Sequence, residues 1–207
     1  MQLLQILIFC TITLIFQIRV WSQTSGYEST QGMRAAYMGS IIYSGFTLGI
    51  EIPKSTKPFL KAGSYGTKTH YKEQFNTLNF GLYHHPTFHT LLYAQYELIF
   101  RRQYSGGFFY DAGPGFGVSR TFVAGPVYEV NDQGHIDQKS LPGHFYVLMS
   151  GSGSLGYNFG KNSNLPLKMF LKSSIFLMGP YNKFVYFRPT IEAGAIFIIK
   201  GAGSIAL

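Results

Sequence analysis

Residues 108–118 read FFYDAGPGFGV, and this stretch decides the fold. Successive side chains of a β-strand point to opposite faces of the sheet, so a period of two separates the faces. The even positions are the bulky or apolar ones: Phe108, Tyr110, Ala112, Pro114, Phe116 and Val118. The odd positions from 111 onward are Asp111, Gly113, Gly115 and Gly117. The pattern predicts a strand with one greasy face and one small, polar face.

The same alternation recurs along the chain, most clearly in residues 88–100, 145–159 and 185–199 and more weakly in 46–52, 78–83 and 165–177. The clear segments run to 10 to 15 residues. Strands of soluble sheets are usually about 5 or 6 residues long, whereas a tilted strand needs about 9 to 11 to cross a bilayer. In lipid a sheet must also close on itself, because an open edge would leave backbone groups unpaired. The sequence therefore predicts an all-β, antiparallel up-and-down transmembrane β-barrel.

Seven such strands are recognisable, and barrels of a single bacterial chain usually have an even number. We therefore expect about eight strands, with the eighth in residues 32–40 or in the C-terminal tail. Residues 53–72 and 124–142 are predicted as loops, and Asn131-Asp132-Gln133-Gly134 as the turn of a hairpin in the second loop. Pro114 and Pro189 interrupt good strands, which predicts bulges, since proline removes a ladder donor.

Composition supports a surface that meets lipid. Only 13% of the 207 residues are charged, against about 25% in ordinary domains, and 17% are aromatic. The net charge of +8 is concentrated in five lysines between Lys54 and Lys72. No recognition-helix pattern accompanies this charge, so nucleic acid is not an expected partner.

The first residues have the pattern of a secretory signal peptide. Residues 3–16 read LLQILIFCTITLIF, and Ser22 supplies a small residue next to a cleavage site. We expect a leader over 1–22 and a barrel domain over 23–207; an uncleaved anchor helix is the alternative. Cys10 is the one cysteine, so the mature chain would hold no disulfide and no thiolate metal site.

The side chains on the polar face of each strand, which occupy every second position (the polar parity), should line the barrel interior. Its charged members are Glu51, Glu97, Asp111, Glu192, Arg101, Lys168, Lys172 and Arg188. Four acids opposite four bases predict ion pairs in the lumen, because an isolated charge in a narrow interior costs several kcal/mol. An eight-stranded barrel is just filled by its side chains, so a closed or narrow lumen is expected. For Glu51 and Arg101, solvation at the barrel rims is an equal alternative.

Two motifs suggest sites and lack the context that a site needs. Residues 151–156 (GSGSLG) match a dinucleotide fingerprint, but the strand alternation continues to Phe159 and no helix follows. His84, His85 and His89 cluster around Pro86 without a nearby carboxylate or a shared helical face. We therefore expect no catalytic, cofactor-binding or metal-binding residues.

With the segments FFYDAGPGFGVSRTF and VYFRPTIEAGAIFI, the chain resembles the small outer-membrane β-barrel proteins of Gram-negative bacteria. The resemblance covers the leader and most of residues 40–200. It implies outer-membrane residence, insertion by the barrel-assembly machinery, and contact with outer-membrane lipid and lipopolysaccharide. Such proteins commonly end on an aromatic residue, whereas this chain ends on Leu207 and has Phe197 as its last aromatic.

The leading hypothesis is a non-enzymatic, porin-like barrel with a structural, surface-interaction or small-solute role, whose lysine-rich segment meets lipopolysaccharide or external ligands. A lipid-modifying barrel enzyme is one alternative; it would use His89 or His144 with an inward acid such as Glu97. A secreted soluble barrel that binds an apolar ligand is the other. It would require the greasy face of residues 108–118 to point inward, so the orientation of this strand separates the hypotheses.

Overall fold

The computed structural model describes residues 31–199, except 40–43, 64–65, 86, 131–133, 140–141, 162, 164 and 182–183. The predicted leader over 1–22, with Cys10, lies outside the described residues, as does the C-terminal tail from Lys200 onward. No helix in the described part of the chain is long and apolar enough to cross a membrane.

The strands are β1 (Gln31–Gly39), β2 (Ser44–Gly63), β3 (Gly66–His85), β4 (His89–Gln103), β5 (Phe108–Val123), β6 (Tyr128–Val130), β7 (Ile136–Gln138), β8 (Phe145–Asn158), β9 (Leu167–Tyr181) and β10 (Phe184–Ile199). Eight of them form one closed antiparallel barrel in the order β1-β10-β9-β8-β5-β4-β3-β2. β6 and β7 pair separately as a hairpin within the connection from β5 to β8. The predicted up-and-down barrel of eight strands is confirmed, and its eighth strand is β1.

The two ends of the barrel differ in what connects the strands. At one end, here the terminal end, β1 begins, β10 ends, and short connections join β2 to β3, β4 to β5 and β8 to β9. At the opposite end, here the loop end, residues 124–144 connect β5 to β8 and carry the β6–β7 hairpin. This hairpin flanks residues 131–134, where the sequence predicts a turn.

The predicted loop over residues 53–72 is wrong. β2 and β3 are 20 residues each and remain paired through Lys57–Lys72 and Lys61–Lys68 to Gly63–Gly66. The lysines hide the strand signal, because alternation of lysine with threonine, proline and aromatic residues does not resemble a greasy face opposed to a polar one.

The predicted bulges at Pro114 and Pro189 are also wrong. Pairing of β5 with β4 is interrupted between Glu97–Gly115 and Phe100–Ala112 but resumes in the same register. Pro189 lies beyond Gly39, the last residue of β1 that pairs with β10, and its pairing with Ile175 on β9 is regular. The ladder of β2 with β3 instead shifts between Pro53 and Ser55, which places Lys54 in a bulge.

The greasy parity faces outward. On β5, Phe108 is 44% exposed and Phe116 59% exposed, whereas the intervening Phe109 and Asp111 are buried. The same polarity holds on β8, where Phe145, Val147 and Met149 are exposed and Ser150 and Ser154 are buried. This is the arrangement of a transmembrane barrel, which presents an apolar band to lipid and polar residues to the lumen. It is the reverse of what a soluble carrier of apolar ligands requires.

Candidate functional site: the barrel interior

All eight charged residues that the polar parity singled out are buried inside the barrel. Their side chains lie on β2, β4, β5, β9 and β10: Glu51, Glu97, Arg101, Asp111, Lys168, Lys172, Arg188 and Glu192. Glu51 and Arg101 are 5% and 1% exposed, so neither is solvated at a rim. They divide into two clusters at different depths, and an apolar layer lies above them toward the loop end.

The cluster nearer the terminal end is centred on Arg101. Its Nε donates to Asp111 Oδ1 at 2.7 Å and its Nη2 donates to Asp111 Oδ2 at 2.8 Å, a two-pronged pairing. The same guanidinium reaches Glu51 Oε1 at 3.2 Å from Nη2. The rings of Phe75 and Phe109 lie on it with their centroids 4.3 Å from Cζ. Arg101 is thereby held by two carboxylates and two aromatic faces, which offset the loss of its hydration.

Two further charged residues join this arginine cluster without having been predicted. Arg34 of β1 is 3% exposed and places Nη1 3.8 Å from Glu51 Oε1, with its Cζ 3.9 Å from the Phe170 ring centroid. Glu73 of β3 places Oε2 4.0 Å from Arg101 Nη1. Arg34 lies in residues 32–40, one of the two stretches predicted to hold the eighth strand, and Glu73 lies between the predicted loop over 53–72 and the strand over 78–83. Extending the β3 alternation backward from Phe75 would have placed Glu73 on the inner face.

The second cluster lies at mid-barrel and is centred on Glu97, whose side chain is fully buried. Lys172 Nζ donates to both carboxylate oxygens, at 2.8 and 2.9 Å. Asn79 Nδ2 and Thr77 Oγ1 donate to Oε2 at 2.8 and 3.1 Å. Ser152 Oγ donates to Oε1 at 3.3 Å. These donors occupy both carboxylate oxygens and hold the Glu97 side chain in one position.

Glu192 and Lys168 are less closely paired. Glu192 Oε1 lies 3.8 Å from Lys172 Nζ, and its Oε2 has no hydrogen-bond partner in the described structure. Lys168 is 7% exposed and makes no ion pair within 4.0 Å among the described residues. Arg188 lies against the Tyr83 ring, 4.0 Å from its centroid. The structure thus brings Glu51, Arg101, Asp111, Glu97 and Lys172 into close ion pairs, with Glu192 3.8 Å from Lys172.

An apolar layer fills the lumen toward the loop end. It consists of inward residues from β1, β3, β4, β8 and β9: Met38, Tyr83, Leu91, Tyr93, Tyr146, Leu148, Phe176 and Met178. Leu91 and Leu148 are fully buried, and the Tyr93 hydroxyl lies 2.9 Å from Thr47 Oγ1. This layer and the two charged clusters occupy successive depths of the lumen.

The residues considered for lipid chemistry are not assembled into a site. His144 is exposed in the connection before β8, and its backbone N–H donates to Thr121 Oγ1. His89 begins β4 at the loop end, beside His85. Glu97 is occupied by Lys172 and its neutral donors at mid-barrel. Among the described residues, no group of three His, Cys, Asp or Glu side chains could hold a metal ion. Residues 151–156 lie inside β8, without a following helix of the kind a dinucleotide site uses.

No family model matches the sequence. No curated protein matches it either. Among solved structures, it is similar to the N-terminal β-barrel domain of OprF from Pseudomonas aeruginosa, at 14% identity and a TM-score of 0.39, over 83% of this chain and 98% of that one. It is also similar to the β domain of the Bordetella autotransporter Brka, at 11% identity and a TM-score of 0.37, over 84% of this chain and 72% of that one. The fold assignment itself rests on the strand order and register of this chain.

Proposed function

We propose that this protein is an integral, non-enzymatic barrel of the outer membrane with a closed lumen, which acts as an anchor and interaction surface and not as a channel. One observation carries the proposal: the barrel is apolar outside and charged inside. Exposed Phe, Leu, Ile, Val and Met side chains surround the eight strands, while nine charged side chains are buried among the described residues. In water this arrangement would expose a large apolar surface to solvent. In a bilayer the apolar outer face contacts lipid, and the charged residues stay inside the barrel.

The closed lumen is supported by contacts that cross it. Lys172 of β9 and Glu97 of β4 lie on strands separated by β8 and β5 in the ring, yet their charged groups are in contact. Above them, Tyr93 of β4 and Phe176 of β9 pack ring against ring with centroids 5.5 Å apart. A solute would have to displace both layers, and breaking a buried ion pair costs about 3 to 5 kcal/mol.

A basic rim supports contact with anionic lipid headgroups. Five exposed cations share the outer face of β2, β3 and β4 near the terminal end: Lys57, Lys61, Lys68, Lys72 and Arg102. Across the described structure none of the five has a carboxylate within 4.0 Å. Cations near a membrane surface gain about 1 kcal/mol each from anionic lipid. Phosphorylated lipids, lipopolysaccharide among them, are the proposed partners of this rim.

The test is fractionation of cells that express the full chain. The barrel should require detergent for extraction and should migrate differently on gels with and without boiling, because a closed barrel resists unfolding by cold detergent. Reconstituted in planar bilayers, it should give no steady conductance. Recovery in a soluble periplasmic fraction would reject membrane residence, and a stable open channel would reject the closed lumen.

The basic rim has its own test. The folded barrel in neutral detergent is titrated with lipopolysaccharide and, separately, with phosphatidylglycerol, with Lys57, Lys61, Lys68 and Lys72 intact or all changed to glutamine. We expect weaker, less salt-dependent binding by the quadruple variant. Lys139→Gln is the control, since Lys139 lies on the connection at the loop end and pairs with Glu129. Equal binding by all three proteins would show that the rim has no role.

A further inference from the structure

We infer that the outer wall of the barrel carries a binding groove for one glycerophospholipid, with an acyl chain in the groove and the phosphate on Arg120. The inference rests on the proposed membrane location and goes beyond it, because it assigns a specific lipid site where the barrel alone requires only a greasy surface. It follows from three features of the β2–β5 and β8 wall: a depression, an apolar lining and one outward arginine.

The groove has a volume of about 450 Å³ and lies on the outside of the barrel. Ligand pockets are typically about 300 to 1,000 Å³. Ala94 lies between Phe80 on β3 and Val118 on β5 in the strand register. Its methyl group is much smaller than the side chains on both sides, and this difference creates the depression.

The lining of the groove is almost wholly apolar. The outward side chains that surround it are Phe46 and Leu48 from β2, Phe80 and Leu82 from β3, Leu92 from β4, Val118 from β5 and Phe145 from β8. Such a lining favours a hydrocarbon chain and offers almost no hydrogen bonds to a polar ligand. A long, unbranched acyl chain can follow a furrow between rows of side chains.

Arg120 supplies the charge at the groove, on the same outward face. Its Cζ lies 4.9 Å from the Phe122 ring centroid and 4.8 Å from that of Phe145, so two rings flank the guanidinium. It makes no ion pair within 4.0 Å among the described residues, and its buried Nε has no hydrogen-bond partner there. A cation on the lipid face is costly at the bilayer midplane and tolerable near a headgroup.

Arg120 is an outward charge on a part of the outer wall that is otherwise apolar. The outward positions of β8, β9, β10 and β1 carry no charged residue in the part of the chain that the structure describes. The other outward cations of the described strands are the five residues of the basic rim and Lys54, which lies in the β2 bulge; all six are toward the terminal end. One arginine beside one apolar groove complements a lipid with a single phosphate diester, because a guanidinium donates two parallel hydrogen bonds to phosphate oxygens.

The experiment measures lipid retained by the folded barrel. Wild-type protein in mild detergent is incubated with palmitoyl-oleoyl phosphatidylglycerol and analysed by native mass spectrometry. At a salt concentration that screens the exposed lysines of the basic rim, we expect one lipid retained per barrel. Arg120→Gln should weaken retention about tenfold, the loss expected for one charge-assisted contact. Ala94→Leu, which fills the groove and keeps the wall apolar, should weaken it similarly. Lys139→Gln, which removes an exposed cation outside both the groove and the basic rim, is the control and should stay within about twofold.

The outcomes separate this inference from the proposed function. A chain that never forms a heat-modifiable barrel would reject the membrane barrel itself. A folded barrel that retains no phospholipid, or retains it equally in all four proteins, would reject only the groove. Retention of lipid A in place of phospholipid in a competition, or a dimer mass that Ala94→Leu abolishes, would assign the groove to a different occupant and overturn the inference.

Discussion

Lys172 Nζ lies 2.8 Å from Glu97 Oε1 and 2.9 Å from Glu97 Oε2, although the two residues project from opposite walls of the barrel and lie 75 positions apart in the chain. The pair therefore fastens β4 to β9 through the lumen, without help from the hydrogen-bond ladder that joins neighbouring strands. Its energetic role can be separated from that of the ladder by mutation.

We predict that Glu97→Gln and Lys172→Met each lower the free energy of unfolding by about 3 to 5 kcal/mol, because each leaves a buried partner uncompensated. The double variant should lose less than the sum of the two, with a coupling of about 1 kcal/mol or more. Urea unfolding in detergent micelles measures the free energy of unfolding of the wild type, the two single variants and the double variant. The exposed Lys139–Glu129 pair, with side chains 48% and 65% exposed, is the control and should couple by less than about 1 kcal/mol. Additive losses at Glu97 and Lys172 would contradict the bridge.

Arg101 and Arg102 offer a matched comparison of the two faces of β4. Arg101→Lys removes the two-pronged pairing with Asp111 and the stacking on Phe75 and Phe109, so we expect a loss of about 2 kcal/mol or more. Arg102→Lys changes an exposed outward residue and should alter stability by about 0.5 kcal/mol or less. Equal effects in the same unfolding assay would mean that the arginine cluster does not stabilise the barrel through its geometry.

Gly115 lies on the inner face of β5, where a side chain would have no room. A Cβ there would lie 2.6 Å from Gln95 Nε2, 2.6 Å from Ser150 Oγ and 2.9 Å from Glu97 Cγ. Gly115→Ala should therefore cost about 1 to 3 kcal/mol, as overpacking does. Gly151 faces outward with open space around the corresponding position, so Gly151→Ala should be neutral or slightly stabilising. The difference in thermal midpoint between the two variants tests the tightness of the lumen.

Ile175 and Ile199 test whether the outer wall faces lipid, since both are 45% exposed. Ile175 lies within β9, and Ile199 is the last residue of β10. A lysine costs about 2 to 4 kcal/mol at the bilayer midplane and about 0 to 1 kcal/mol near the interface. Folding into lipid vesicles should accordingly be weakened much more by Ile175→Lys than by Ile199→Lys. If both substitutions cost the same small amount, the outer wall does not face hydrocarbon.

Period-two alternation was sufficient to predict the barrel because it reports directly which face of a strand is apolar. Within residues 108–118 the apolar Phe116 is exposed on the outer face and the polar Asp111 is buried on the inner face, as the alternation predicts. It also indicated eight of the inward charges, since lumen residues share one parity, but it missed Arg34 and Glu73. It failed over residues 53–72, where paired strands carry lysines on the outer face and the two faces no longer differ in polarity.

The partners of each inward charge could not be predicted from the sequence. Which residues meet across a lumen depends on strand tilt and register around the whole ring, and these are set by closure. Lys172 meets Glu97, although the strand register aligns it through Ser154 with Asp111. The groove at Ala94 was equally hidden, because it arises from the relative sizes of Phe80, Ala94 and Val118 on three strands that only the register aligns.

The closing seam of the ring has a consequence for how this chain folds. β1 supplies only nine residues, and its pairing with β10 joins Gln31 to Ile199 across almost the whole described chain. A contact between such distant residues carries the largest loop-closure entropy in the molecule, so it should form after the local hairpins. Arg34, which lies on this short strand, can meet Glu51 within the local β1–β2 hairpin, but it reaches the Phe170 ring of β9 only when the seam closes. Formation of the seam and burial of the arginine cluster should therefore be a single late event, and a slow one.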